Sequence, residues 1–336
     1  MMAKQTDRGA ANENPLIPNE RLRQIYLAMA QARVLDKALP AARRGQTHGL
    51  EAALVSAAVD LGPGDLVSDA LACGVVNFLR GTTLGEVLQA GKADASRRSR
   101  RSGTGVRGRS AECGAAGRLP GTADAAERIW TALGAAAALK AAATLARIET
   151  QSTAKDKAEA DATAATRQAG VVVVYALAGE ASAGLWKKAL RFAAEQELPV
   201  VFVVLPSART RGGGARLGAK SGGVSALAEG CGVPAMVVDA DDAVAIYRVA
   251  QESIGHARIG GGAALIECVP FVLAGAAGKV RAAQDAIAGL ERTMLQRGVA
   301  SRTWMEREAK SFAKRIARWK SGSCSLDHFA IKGTRA

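Results

Sequence analysis

The chain has 336 residues, 49% of them hydrophobic and only 4% aromatic, with 37 glycines and a net charge of +14; this composition supports a core of small side chains and excludes collagen-like and wholly disordered classes. Five scattered cysteines without a C-x-x-C pair, and three histidines, exclude a disulfide scaffold or zinc knuckle. No apolar run approaches the roughly 20 residues of a membrane helix, since Lys140 breaks Ala132 to Ala146, and Met1 to Pro15 lacks a signal-peptide core, so a cytoplasmic protein with no membrane contact is expected.

A tail over 1–18 precedes a first amphipathic helix, Asn19 to Leu39, whose apolar residues recur at helical period and which Pro40 stops. Glu51 to Leu61 reads as a small-residue helix ended by Gly62-Pro63-Gly64. Asp65-Leu66-Val67 reads as a strand entry, and Cys73 to Arg80 as another helix. A Gly/Ser-rich basic loop over 92–121 follows, then an Ala-rich helix from Ala123 to Ile148 and a polar insertion over 150–169 that suits an exposed helix or linker.

From there β-branched runs alternate with helical segments. Val171 to Tyr175, Pro199 to Leu205, Ala235 to Val238 and Ala263 to Val269 read as strands. Gly184 to Gln196, Val224 to Gly230 and Asp242 to Arg258 read as helices, the last capped by Asp241. Such β-α-β units require right-handed crossovers and give a parallel sheet covered on both faces. The fold class is therefore α/β, a doubly wound, mainly parallel sheet with helical N- and C-terminal extensions. It forms a single domain over 19–320 with a tail at 321–336. Ligands of such sheets sit at the carboxyl ends of the strands, which points to Ala176 to Ser182 and Pro206 to Gly214.

The charge is localised. Lys92 to Arg118 holds eight basic residues against two acidic, Pro206 to Lys220 four against none, and Arg297 to Arg335 ten against three. The two basic loops lack the aromatic residues on which single-stranded nucleic acid stacks, so nucleic acid is not the expected partner. Basic loops on a near-neutral body instead suit an acidic or phosphate-bearing partner.

Several segments together resemble the alpha subunit of thiamine-diphosphate-dependent 2-oxo acid dehydrogenases. Leu22 to Leu39 is similar to that family's opening helix, Gly49-Leu50-Glu51-Ala52 to its G-Q-E-A segment, and Gly62-Pro63-Gly64-Asp65 to its P-G-D turn. Glu197 to Val204 resembles its second central strand, Val237 to Tyr247 with Ala263 to Cys268 its later strand-helix-strand unit, and Leu290 to Trp319 its helical tail. The resemblance implies the thiamine-diphosphate-binding fold and oxidative decarboxylation of a 2-oxo acid with acyl transfer to a lipoyl carrier. It also implies a beta-type partner subunit in a heterotetramer, a lipoyl acyltransferase core as a further partner, and thiamine diphosphate with Mg²⁺ as cofactors.

The family holds the diphosphate through Mg²⁺ by a G-D-G motif after the first central strand and by a later Asn, oxygen ligands suited to a hard cation. Here the G-D-G positions fall on Leu177-Ala178-Gly179 and the Asn on Pro206 or Ser207. The Tyr-Arg pair expected after the P-G-D turn falls on Leu71-Ala72, the following histidines on Gly74 and Val76, and the late histidine loop on Pro270 to Gly275. The residues left to meet a cofactor are Gly179, Glu180 and Ser207; none is assigned as a confident catalytic residue and none as a metal ligand. His48, Glu180 and Ser207 otherwise read as ordinary surface or packing residues. A kept fold with exchanged ligands reads as a catalytically impaired homologue or pseudoenzyme, expected not to bind the cofactor. The alternative is a non-catalytic interaction or regulatory protein that docks through its basic loops.

Overall fold

The computed structural model describes residues 17–39, 45–69, 74–88, 117–119, 124–153, 169–207, 223–270 and 285–320. Most of the 92–121 loop, most of the 150–169 insertion, residues 1–16 of the first tail and all of the second lie outside the described residues; Ile17, expected in the tail, is fully buried in the core. Five parallel strands form the sheet among them: β1 (Leu66–Ser68), β2 (Val172–Leu177), β3 (Val200–Leu205), β4 (Ala235–Asp239) and β5 (Ala264–Val269). Their order is β1-β2-β3-β5-β4, with Val172 beside Val200, Val201 beside Ala264 and Ala235 beside Leu265. The expected doubly wound parallel sheet is present.

Helices cover both faces. On one face lie α1 (Asn19–Ala38), α2 (Glu51–Ser56), α3 (Val75–Leu79), α7 (Ala243–Arg258), α8 (Ala286–Gln296) and α9 (Arg302–Lys320). On the other lie α4 (Ala125–Thr153), α5 (Ala183–Glu195) and α6 (Gly223–Glu229). The division follows from handedness. The chain passes β1, β2, β3 and β4 in one direction, so the crossovers α4, α5 and α6 share a face; it then steps back from β4 to β5, so α7 must lie opposite.

The strands read as unbroken apolar runs because both faces are buried. In β2 and β3, Val173, Tyr175, Val201, Val203 and Leu205 enter the first core, while Val172, Val174, Val200, Phe202 and Val204 enter the second. The Tyr175 hydroxyl donates to the Leu54 carbonyl at 2.9 Å, tying the sheet to α2. Trp186 of α5 is buried and meets Phe202 edge-on at 5.8 Å, as the apolar face of that helix predicts.

Element boundaries differ from the sequence reading in instructive places. The cap of α7 is Asp242 rather than Asp241: its carboxylate accepts from the Val244 and Ala245 N–H groups, both at 3.0 Å. Ser182, not Gly184, opens α5, its hydroxyl accepting from Leu185 N–H at 3.2 Å. α4 runs on to Thr153, and Ala125–Glu149 is long and apolar enough, by length and composition, to cross a membrane. This corrects the view that Lys140 ends the apolar run. The Lys140 stem carries its ammonium away to the Gln196 carbonyl at 2.8 Å and to Glu197 at 3.2 Å, so the helix continues.

Candidate functional site

The carboxyl edge of the sheet is built first by the turn after β2. Ala178 N–H donates to the Leu205 carbonyl at 2.8 Å, locking the ends of β2 and β3 side by side. Gly179 then turns the chain at φ 81°, in the left-handed region that a side chain disfavours. Glu180 folds back, its N–H reaching the Leu177 carbonyl at 3.0 Å and its Oε2 accepting from Leu177 N–H at 2.9 Å. Ser207, half-buried, lies two residues beyond β3. Gly179, Glu180 and Ser207 thus share one edge, on neighbouring strands. His48 is exposed, in the turn before α2. Leu71-Ala72, the rest of the basic loop after Pro206-Ser207, and the segment after Pro270 lie outside the described residues.

Arg128 is the residue that sequence reasoning missed. It stands in the first turn of α4 with its side chain 2% exposed, and its guanidinium is paired with the Glu180 carboxylate, itself 20% exposed. An ion pair this enclosed holds because each charge compensates the desolvation of the other. The only sequence signal was a cation beside Ile129 in the first turn of an Ala-rich helix that also carries Glu127, Lys140, Arg147 and Glu149.

A second carboxylate closes the neighbouring helix end. Glu267 of β5 accepts from Val224 N–H at 3.3 Å and Ser225 N–H at 2.8 Å, capping the start of α6. Gly223 permits this contact: at φ +75° a Cβ there would come within 2.8 Å of the Glu267 oxygens. Cys268, next along β5, is fully enclosed; burial pushes its thiol up to about 12, with Glu267 and Asp239 acting in the same sense. It is no nucleophile near neutral pH.

Among the described residues of this edge, the side-chain donors do not suit a magnesium diphosphate. Ala178 and Pro206 present no side-chain oxygen, and the Glu180 carboxylate is engaged by Arg128 and by Leu177 N–H. No cluster of three or more His, Cys, Asp or Glu side chains able to hold a metal occurs among the described residues. Hard cations require several oxygen ligands converging at once.

The model of the family described as "Dehydrogenase E1 component" matches residues 37–320. The alpha subunit of acetoin:2,6-dichlorophenolindophenol oxidoreductase from Cupriavidus necator is 29% identical over 137 residues, 37% of this chain and 41% of that protein. Its counterpart from Bacillus subtilis is 32% identical over 93 residues, 28% of each chain. The chain therefore aligns with less than half the length of either relative.

Proposed function

Because this chain belongs to the dehydrogenase E1 component family, whose members depend on thiamine diphosphate, we propose that it is a divergent alpha-type subunit that keeps the family scaffold and no longer performs the family reaction. It is proposed to pair with a beta-type chain, which the naming of both relatives as alpha subunits supports. The ancestral reaction is then thiamine-dependent cleavage next to a carbonyl, in a 2-oxo acid or in an acetoin-like hydroxyketone, the latter suggested by the relatives' names. One observation carries the reading: the Glu180 carboxylate, near the altered ligand positions Ala178 and Pro206 or Ser207, is held by Arg128.

The test is calorimetric titration of thiamine diphosphate with Mg²⁺ into the purified chain, alone and with a beta-type subunit. The expected result is no heat of binding for the natural sequence and measurable binding after Ala178→Asp with Ser207→Asn. Micromolar binding by the natural chain would return it to the working enzymes.

A further inference from the structure

α9 has two unlike sides. Met305, Phe312 and Ile316 are buried in the core, and Phe312 meets Phe78 at 5.7 Å. The half-buried Trp304 packs on Tyr26 at 6.0 Å. One cation is drawn to this side as well, the Arg315 guanidinium standing over the Phe312 ring at 5.5 Å. The apolar surface of the helix is therefore taken up by the chain's own core.

The opposite side is a row of cations. Arg307, Lys310, Lys314 and Arg318 follow one another at steps of three, four and four, which puts them within about 80° of arc on a helix of 3.6 residues per turn. All four are exposed, Arg307 and Lys310 with 70% and 74% of their side-chain surface open. The row is roughly 16 Å long at about 1.5 Å per residue. With Thr303, Glu306 and Ser311, its first three members border a groove of about 410 Å³. The acids of the same helix hold these cations weakly: Arg307 reaches Glu308 at 3.4 Å and Lys310 reaches Glu306 at 3.5 Å, both at the surface. α9 carries seven Lys and Arg against those two acids, so its positive charge exceeds what the helix itself neutralises.

The chemistry of the row narrows what it recognises. With the apolar side buried, no hydrophobic residue accompanies the cations, whereas a helix lying in a lipid interface inserts its apolar face. No aromatic ring stands in the row for a base to stack on. Glu306 at its start repels a ligand of uniform negative charge, such as a nucleic-acid strand with a charge about every 3.4 Å. A polypeptide sets the sign of each side chain separately. A straight row at helical period is matched along its whole length by a second helix with carboxylates at that same period.

We propose that the outer face of α9 docks an acidic α-helix of a partner protein, four carboxylates of which face Arg307, Lys310, Lys314 and Arg318. Antiparallel packing sets the partner helix's N-terminus, where its own dipole favours acids, against the C-terminal end of α9. The docking concerns neither the sheet's carboxyl edge nor the pairing with a beta-type chain, so it stands or falls apart from the reading above.

Fluorescence anisotropy on the full chain tests this with a labelled Ala/Gln-based helical peptide carrying four Glu at steps of four, four and three, the spacing of α9 in reverse. The natural chain should bind it with an affinity that falls as salt rises. A peptide of the same composition with its Glu spread around the helix should bind about tenfold more weakly. Lys310→Glu with Lys314→Glu should weaken binding of the first peptide by about tenfold or more, and should bind its counterpart with Lys in place of Glu. Lys310→Gln with Lys314→Gln, which adds no repulsion from Glu306, should still weaken it several-fold. Lys187→Glu with Lys188→Glu, at exposed positions on α5, makes the same change in net charge and should leave binding within about twofold. Equal affinity for the two peptides, an equal loss in the α5 variant, or no binding by the natural chain overturns the proposal. So does a loss of binding to duplex DNA or phosphatidylserine vesicles in the α9 variants that exceeds their loss of peptide binding. Failure of those variants to pair with a beta-type chain that the natural chain binds overturns it too, by placing α9 in the subunit contact.

Discussion

Two buried ion pairs sit at opposite ends of the sheet, and they serve different ends. At the amino edge, Asp65 is 3% exposed and accepts from Gly62 N–H at 2.6 Å and Val171 N–H at 2.9 Å while pairing with Arg258 from the end of α7. Every element it touches is structural: the turn before β1, the entry to β2 and a helix almost two hundred residues away. At the carboxyl edge, Glu180 has one backbone donor and Arg128, and remains one-fifth exposed. The amino-edge carboxylate is saturated by the scaffold. The carboxyl-edge one stands where parallel sheets hold ligands and is taken by a side chain of the same protein. The two edges of one sheet thus differ in how fully the scaffold satisfies the carboxylate that each one holds.

The comparison breaks most visibly at Asp65. Asp65→Ala leaves the Arg258 guanidinium without its counter-charge and two N–H groups, one of them on fully buried Val171, without an acceptor. A loss of about 3 to 5 kcal/mol is expected, the usual result of removing one partner from a buried pair, read as a lower urea midpoint with an unchanged slope. Arg128→Ala should cost less, about 1 to 3 kcal/mol, because Glu180 keeps Leu177 N–H and can take up water. An Arg128→Ala loss equal to that of Asp65→Ala would show that both pairs are scaffold. Thiamine diphosphate binding that appeared in Arg128→Ala alone would show that the guanidinium had been the obstacle.

The third test uses pH. Cys268 has its folded pKa raised from 9.0 to about 12 by burial, so its contribution is complete below pH 9 and is lost as pH rises toward 12. Stability should fall by up to about 1.4 kcal/mol for each pH unit above 9. Tyr247, raised to about 12 by burial and by Asp60, adds a later loss in the same direction above pH 10. Urea unfolding at pH 8 and pH 10 checks this; in Cys268→Val the fall between those values should shrink. If the slope is unchanged, the thiol is not the titrating group.

How much of this was legible follows from the kind of signal each part leaves. β2, β3 and β5 are runs of Val, Ile and Leu between helical segments, and burial on both faces writes itself into composition, so the sheet could be read. The cap of α7 was read one residue early, at Asp241 for Asp242, and α5 was started at Gly184 where it begins at Ala183, because adjacent Asp, Ser and Gly residues satisfy the same local rule until the backbone selects one. The exchanged ligand positions, Ala178 and Pro206 or Ser207, were named only through the resemblance to the family's ligand motif. Arg128 was not legible, because Arg128 and Glu180 are 52 residues apart and nothing local marks a pair that only the crossover of α4 brings together. The same holds for Asp65 and Arg258.

The smallest effect isolates an ion pair that belongs to neither edge. Asp285 caps α8 through Ile287 N–H at 3.0 Å and pairs with Arg33 at 2.7 Å while about half-exposed. Its hydrogen bond from Arg33 lowers its pKa below 3.8, so the stability it adds is present above that value and is lost as pH falls through the lowered one. Asp285→Ala should cost about 1 kcal/mol, the usual worth of a cap, and should remove this part of the acid sensitivity. Asp285→Asn keeps a capping oxygen and discards the charge, so it should cost only a few tenths of a kcal/mol. Arg33 remains held by the fully buried Glu51 at 2.9 Å in either variant. If Asp285→Asn proved as costly as Asp285→Ala, the charge rather than the cap would carry the contact, and an exposed pair would then matter here as the two enclosed ones do.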